Sequence, residues 1–178
     1  MNRKAVFLDK DGVLNEPVLR EGKVSSPRNL SEFKLIPNAQ KALHSVKNLG
    51  YLIIVATNQP DVSRGLLRRE DLDTMLAAVM ESSPIDDMIV CVHDDADACD
   101  CRKPKPGMLL TAAKKWDIDL AGSYFIGDGL KDAQAAEDAG CRFILIDKPY
   151  NHEVRCRYHA KDLSAACEQI ADFQTRTA

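Results

Sequence analysis

The chain has little that would tie it to a bilayer, a polyanion or an oxidising compartment. Its longest apolar stretches, such as Tyr51 to Ala56 and Phe143 to Ile146, fall far below the roughly 18 residues that a membrane span requires. At the amino end, MNRKAVFLDKDG offers two cations, but the apolar run behind them meets Asp9 at once. The long apolar region of a secretion signal is missing, and a cytoplasmic location is expected. Neither sign of charge is in excess, since 24 Lys and Arg face 27 Asp and Glu for a formal charge of -3. That balance argues against a protein that coats nucleic acid or an anionic membrane, so any site for a polyanion must be local. Internal repeats and low-complexity tracts are absent as well. At 178 residues and 45% hydrophobic content, the chain suits one domain over 1–178, burying about 70% of the surface that it exposes when unfolded. Cysteine is not scarce, but three of the six are packed with a histidine between positions 91 and 101. That clustering fits reduced thiolates on a metal better than disulfide bridges.

Short apolar runs rich in β-branched and aromatic residues alternate with segments of helical period, the pattern of βαβ units around a parallel sheet. The expected strands are Ala5 to Leu8, Tyr51 to Ala56, Met88 to Val92, Tyr124 to Ile126 and Phe143 to Ile146. One helix follows Pro37, with Asn38 as its cap and Gly50 as its stop. Others carry Leu72, Met75, Leu76 and Val79, then Met108 to Trp116, Asp132 to Ala139, and Leu163 to Ile170. The fold class is therefore α/β, a Rossmann-like sheet with helices on both faces. Right-handed crossovers put the carboxyl ends of such strands along one edge, where ligands bind. The stretch from Asn15 to Pro37 is too long for an ordinary βα connection, and a hairpin or flap over that edge is expected.

Chemistry gathers after each strand. Asp9 and Asp11 end the first strand two residues apart, a spacing that turns both toward one site while the backbone stays extended. Carboxylates this close need a cation, and Mg²⁺ is the usual hard divalent ion where phosphate is also present. One carboxylate can attack phosphorus while the other moves the proton. Gly12 lets the backbone turn sharply beside them. Asp128 and Asp132 close a later strand at the same edge, Asp128 placed to join the metal. Thr57 and Asn58 offer a hydroxyl and nearby N–H groups to phosphate oxygens, and Lys103 can neutralise phosphoryl charge.

With DKDG, a strand ending in Thr57, Lys103 and GDGLKD in this order, the sequence resembles the haloacid dehalogenase superfamily of aspartate-based phosphatases. The resemblance implies that Asp9 is the nucleophile and becomes an aspartyl phosphate, and that Asp11 is the general acid and base. It implies Mg²⁺ held by Asp9, Asp128 and the main-chain carbonyl of Asp11, with Asp132 supporting that shell from behind. Thr57 and Lys103 would hold the phosphoryl group. No large insertion follows the first strand or Thr57, so no separate cap domain is expected and the site should stay open.

Cys91 and His93 lie two apart at a strand end, and Cys99 and Cys101 follow a short acidic loop. Two paired arms of soft or borderline ligands suit tetrahedral Zn²⁺. No position is left for water, so a closed structural zinc loop is expected, one that places Arg102 and Lys103 at the phosphate. The run CVHDDADACDCRKPKPGML resembles the superfamily branch containing the heptose bisphosphate and histidinol phosphate phosphatases. TNQPDVSRG and GKVSSPRNLSEFKLIP agree with it. For the heptose members the implied substrate is D-glycero-D-manno-heptose 1,7-bisphosphate, cut at the 7-phosphate.

Two departures stand out. Pro60-Asp61 occupies the place of the Ser-Gly common in heptose enzymes, and Gly129 stands where many of them have lysine. Asn58, Gln59, Arg64 and Arg102 are the expected substrate contacts, with Arg64 or Arg102 clamping the second phosphate of a bisphosphate. The leading expectation is thus a Mg²⁺-dependent sugar phosphatase that acts as a monomer. A phosphatase for histidinol phosphate or another small monoester comes second, and a zinc-stabilised binding protein without catalysis third.

Overall fold

An unbroken apolar tetrapeptide suits a strand that is covered on both faces. Ala5–Leu8 forms such a strand, β1, with every residue buried. The computed structural model describes residues 2–175; the expected bounds of 1–178 also take in Met1 and positions 176–178, which lie outside the described residues. After β1 come a two-stranded antiparallel hairpin, β2 (Val18–Arg20) and β3 (Lys23–Ser25), and helix α1 (Ala39–Asn48). The chain continues through β4 (Leu52–Asn58), α2 (Arg69–Ser82), β5 (Asp87–Cys91), α3 (Gly107–Trp116) and β6 (Tyr124–Gly127). It ends with α4 (Leu130–Ala139), β7 (Arg142–Ile146), β8 (Tyr158–Ala160) and α5 (Leu163–Thr175). The main sheet is parallel throughout, in the order β5-β4-β1-β6-β7-β8. None of the described helices is long and apolar enough to cross a membrane.

Helices cover both faces, as expected for this class. Val6, Leu8, Ile53, Val55, Ile126 and Ile144 pack against Leu43 and Val46 of α1, Val79 of α2 and Ile170 of α5. Their strand neighbours Phe7, Leu52, Ile54 and Phe125 face the other way, onto Met108 and Leu109 of α3 and Ala135 and Ala136 of α4. That split is the two-residue alternation of a strand read on both sides of one sheet. After β5 the chain returns to the other side of β1 to form β6, so the switch point of the sheet lies between β1 and β6. Open α/β sheets bind ligands at this crevice, outside the carboxyl ends of the strands.

Three local expectations need correction. β4 runs on through Thr57 and Asn58 because Val90 and Cys91 of β5 pair with them, so ladder bonds override their weak apolar signal. Asn38 does precede α1, but in the left-handed region (φ 64°) and without a capping bond from its side chain. β8, only three residues long, carries no readable pattern and is held by pairing with β7. The expected flap is present as the β2–β3 hairpin, and among the described residues no further domain is inserted there.

Candidate active site

β1 and β6 run side by side, with Leu8 paired to Ile126, and the Asp9 amide donates to the Ile126 carbonyl at 3.0 Å. This register brings the residues after the two strands together. Asp9, Asp128 and Asp132 each place a ligand oxygen within 4.8 Å of the others'. Lys103 Nζ enters the same cluster, 2.9 Å from Asp9 Oδ1 and 2.7 Å from Asp132 Oδ1. Fully ionised, three carboxylates around one ammonium leave a surplus of two negative charges, the charge of one divalent cation. Without such an ion Asp9 and Asp128 resist ionisation. Burial pushes Asp9 up to about 7, against the pull of Lys103 and with Asp132, Asp128 and Asp11 adding to it. Burial likewise raises Asp128 to about 6, opposed by the hydrogen bond from Tyr150. For Lys103 burial acts downward, but Asp132 and Asp9 outweigh it and hold the ammonium above its ordinary value. An oxygen-only donor set with surplus negative charge fits Mg²⁺.

Asp128 is fixed by residues that carry no motif in the sequence. Tyr150 donates to its carboxylate at 2.5 Å, and Asn151 Nδ2 donates to both the Asp128 and the Ile146 carbonyls at 2.8 Å. Gly12 leaves room for this contact: a Cβ there would sit 1.9 Å from Asp128 Oδ2.

Asp11 faces a different set of partners. Lys10 Nζ, wholly buried, lies 2.5 Å from Asp11 Oδ1, and Asn15 Nδ2 donates to the same oxygen at 2.8 Å. Ser26 of the flap and Gln59 donate to Oδ2 at 2.7 and 2.8 Å. Burial opposes ionisation, but Lys10 foremost, then Ser26 and Asn15, holds this carboxyl below its ordinary range. Lys10 belongs to the DKDG motif, yet nothing in the motif signals its burial.

Thr57 is buried at the end of β4 and accepts from Gln59 Nε2 at 3.0 Å. Asn58 exchanges two bonds with the Lys103 backbone, its Nδ2 giving to the carbonyl (3.0 Å) and its Oδ1 taking from the amide (3.1 Å). Asn58 and Gln59, expected to touch substrate, thus spend these groups holding Lys103 and Asp11.

The four soft ligands also converge. Cys101 Sγ lies 2.9 Å from Cys91 Sγ and 3.4 Å from Cys99 Sγ, Cys91 Sγ lies 3.7 Å from Cys99 Sγ, and His93 Nδ1 lies 3.3 Å from Cys101 Sγ. A tetrahedron with metal–sulfur bonds of about 2.3 Å has edges of about 3.8 Å, which the Cys91–Cys99 pair meets while the Cys101 contacts are shorter. Burial, with Cys91 and Cys99 close by, pushes the Cys101 thiol up to about 12, a resistance to ionising that a bound cation would relieve. Beside the cluster, Arg102 donates to Asp95 at 2.6 Å and to the His93 carbonyl at 3.2 Å, and Arg64 pairs with Asp94 and Asp61. Lys105 Nζ donates a hydrogen bond to the Cys99 carbonyl at 2.7 Å.

A cavity of about 510 Å³ opens over the carboxylates and the arginines, and none of the four soft ligands lines it. Asp9, Asp11, Asp128 and Lys103 line one region, Arg28, Asp61, Arg64 and Arg102 another, and Pro17, Val24 and Leu130 supply apolar wall.

Known proteins share this arrangement of chain. The haloacid dehalogenase-like hydrolase family matches residues 28–140, a span that holds Thr57, Lys103, Asp128 and all four soft ligands. A D-glycero-beta-D-manno-heptose-1,7-bisphosphate 7-phosphatase of Bordetella bronchiseptica is 33% identical over 173 residues, covering 94% of each chain. One of Haemophilus ducreyi is 37% identical over 159 residues, 82% of this chain and 84% of its own. Among solved structures, the B. bronchiseptica D,D-heptose 1,7-bisphosphate phosphatase complexed with magnesium and phosphate superimposes with a TM-score of 0.82 at 30% identity, covering 96% of this chain and 99% of its own. A HAD-like phosphatase of Mesorhizobium loti gives a TM-score of 0.76 at 27% identity, covering 98% of this chain and 87% of its own. On the span matched and on these relatives, the chain belongs to the haloacid dehalogenase-like hydrolases.

Proposed function

We propose that the protein is a Mg²⁺-dependent phosphatase that cuts the 7-phosphate from D-glycero-D-manno-heptose 1,7-bisphosphate. The observation that carries this reading is the meeting of Asp9, Asp128 and Lys103 at one cavity, on the edge where the sheet switches direction. The relatives named for that reaction support the substrate.

In this reading Asp9 and Asp128, with the main-chain carbonyl of Asp11, hold Mg²⁺. When bound, the ion would neutralise phosphoryl charge and offset the cost of burying Asp9 and Asp128 in their ionised form. Asp9 attacks phosphorus, its Oδ–P bond forming as the bond to the sugar oxygen breaks, and Asp11, which must first take up a proton from solvent against the pull of Lys10, passes it to the leaving oxygen. Asp11 then accepts a proton from the water that cleaves the aspartyl phosphate, and its cage of donors suits that anionic form. Lys103 balances charge on the phosphoryl oxygens and Thr57 donates to one of them. Asp132 acts behind them, holding Lys103 Nζ and accepting from the Gly129 amide at 3.0 Å. Zn²⁺ on Cys91, His93, Cys99 and Cys101 fixes the loop that carries Arg102 and Lys103. As a single domain without a cap, the protein is proposed to act as a monomer.

The test is phosphate release with Mg²⁺ over a panel of both heptose 1,7-bisphosphate anomers and histidinol phosphate, ranked by kcat/KM. The expected result is a preference for a heptose bisphosphate that is abolished in Asp9→Asn. Preference for histidinol phosphate overturns the substrate, and unchanged turnover in Asp9→Asn overturns the chemistry.

A further inference from the structure

Three guanidinium groups line the cavity beside the phosphoryl site, and their hydrogen bonds separate them. Arg64 has each of its three nitrogens bonded to a carboxylate: Nε and Nη2 reach Asp94 at 2.8 and 2.5 Å, and Nη1 reaches Asp61 at 3.3 Å. Arg102 spends Nε on Asp95 and Nη1 on the His93 carbonyl. Arg28 spends only Nε, 2.7 Å from Asp61 Oδ2, and no described residue accepts from either of its terminal amino groups. Its side chain is 32% exposed, enough to meet a ligand while remaining held.

That hold is prearranged. Asp61 is nearly buried at 6% exposure, and its two oxygens go to Arg28 and Arg64, so it aims the Arg28 guanidinium from behind. The Arg28 amide donates to Glu32 Oε2 at 2.8 Å, Glu32 pairs with Arg20, and Arg20 Nη1 reaches the Ser26 carbonyl at 2.8 Å. The flap therefore presents a planar pair of N–H donors that has lost part of its freedom already. Two parallel donors on a cation match a phosphate edge, whereas a lone hydroxyl would engage only one of them.

We propose that Arg28, oriented by Asp61, determines specificity by holding the second phosphate of the substrate, the group that is not cut. This inference rests on the phosphatase reading above, and it moves the contact from Arg64 and Arg102, expected from sequence, to a flap residue. It also accounts for the acid at position 61. A glycine there would leave the flap guanidinium unaimed, whereas the carboxylate fixes its orientation.

The experiment compares kcat/KM for D-glycero-D-manno-heptose 1,7-bisphosphate with that for the 7-monophosphate, which lacks the distal group. In Arg28→Gln the ratio of the two should fall by about 10- to 100-fold, the range for losing a paired charge-assisted contact, and in Arg64→Gln it should fall less. A ratio within twofold of the wild type in Arg28→Gln, or a larger fall in Arg64→Gln, overturns the assignment. If the wild type releases phosphate from neither sugar, the phosphatase reading fails and this one with it; release with an unchanged ratio defeats only the role of Arg28.

Discussion

Gly12 offers a test of the magnesium site in which every proposed ligand keeps its side chain. Its φ of +83° suits glycine, and an added Cβ would sit 1.9 Å from Asp128 Oδ2, 2.6 Å from Asp128 Cγ and 3.0 Å from the Tyr150 hydroxyl. Gly12→Ala therefore costs twice. The backbone term, alanine in the left-handed region, is about 1–2 kcal/mol. The steric term falls on Asp128, which must swing away from Asp9 and from the Tyr150 bond to regain ordinary contact. Gly65 separates the two, because its φ is +68° and nothing lies within 4 Å of a Cβ there. Gly65→Ala should lower Tm by about 2–8 °C from strain alone in a domain of this size, with Mg²⁺ affinity unchanged. Gly12→Ala should lose at least as much stability and weaken Mg²⁺ binding by at least about tenfold, the lower end of what disturbing a metal ligand's support costs. Thermal melts in chelator and calorimetric Mg²⁺ titrations of both variants read the two terms independently. Wild-type Mg²⁺ affinity in Gly12→Ala would refute the placement of Asp128 in the metal shell.

Cys99→Ser should lose bound zinc by elemental analysis, melt lower, and drop kcat by at least about tenfold as Lys103 loses its support; retention of both zinc and melting temperature rules out the cluster. The pH dependence of the metal-free protein follows from Asp9 at about 7 and Asp128 at about 6. Both are raised, so the folded state binds more protons than the unfolded chain between about pH 4 and those values, and stability falls as pH rises through that window. Urea midpoints in chelator should thus be lower at pH 7 than at pH 5, with saturating Mg²⁺ removing the difference. Equal midpoints without metal contradict the clustering of these acids.

What the sequence discloses is local. A buried strand ends where its apolar run meets a charge, so Asp9, Asp128 and the rim they share are legible from four or five neighbouring residues each. The thiol cluster is legible for the same reason, since both arms lie within eleven positions, Cys91 to Cys101. Lys10 shows the limit. Lying between two acids it reads as a solvated charge, yet it is 0% exposed, its ammonium bonded to Asp11 and Asn15 and lying 5.8 Å from the centre of the Phe33 ring. Only the return of the flap across the strand end supplies that ring and excludes water, and nothing within DKDG encodes where the flap goes.

The same distinction accounts for the residues around the cavity that read as substrate contacts. Asn58 and Gln59 follow a strand and carry amides, which makes them look like phosphate donors, but their bonds run to Lys103 and Asp11, 45 and 48 positions away. Arg28 lies within the run GKVSSPRNLSEFKLIP, which does not single it out, and reaches the cavity because Glu32 and Asp61 fix it from two directions. Asp9, Thr57 and Asp128, proposed to act on the reacting phosphate, sit at strand ends fixed by the sheet, and Lys103 is held to them from its loop by Asn58 and Asp132, whereas the groups proposed to choose the rest of the substrate sit on loops fixed by one another. A change on the flap can then alter which substrate is taken while Asp9, Asp128 and Lys103 keep their geometry. Discrimination should accordingly respond to Arg28 and Asp61 before the chemistry does.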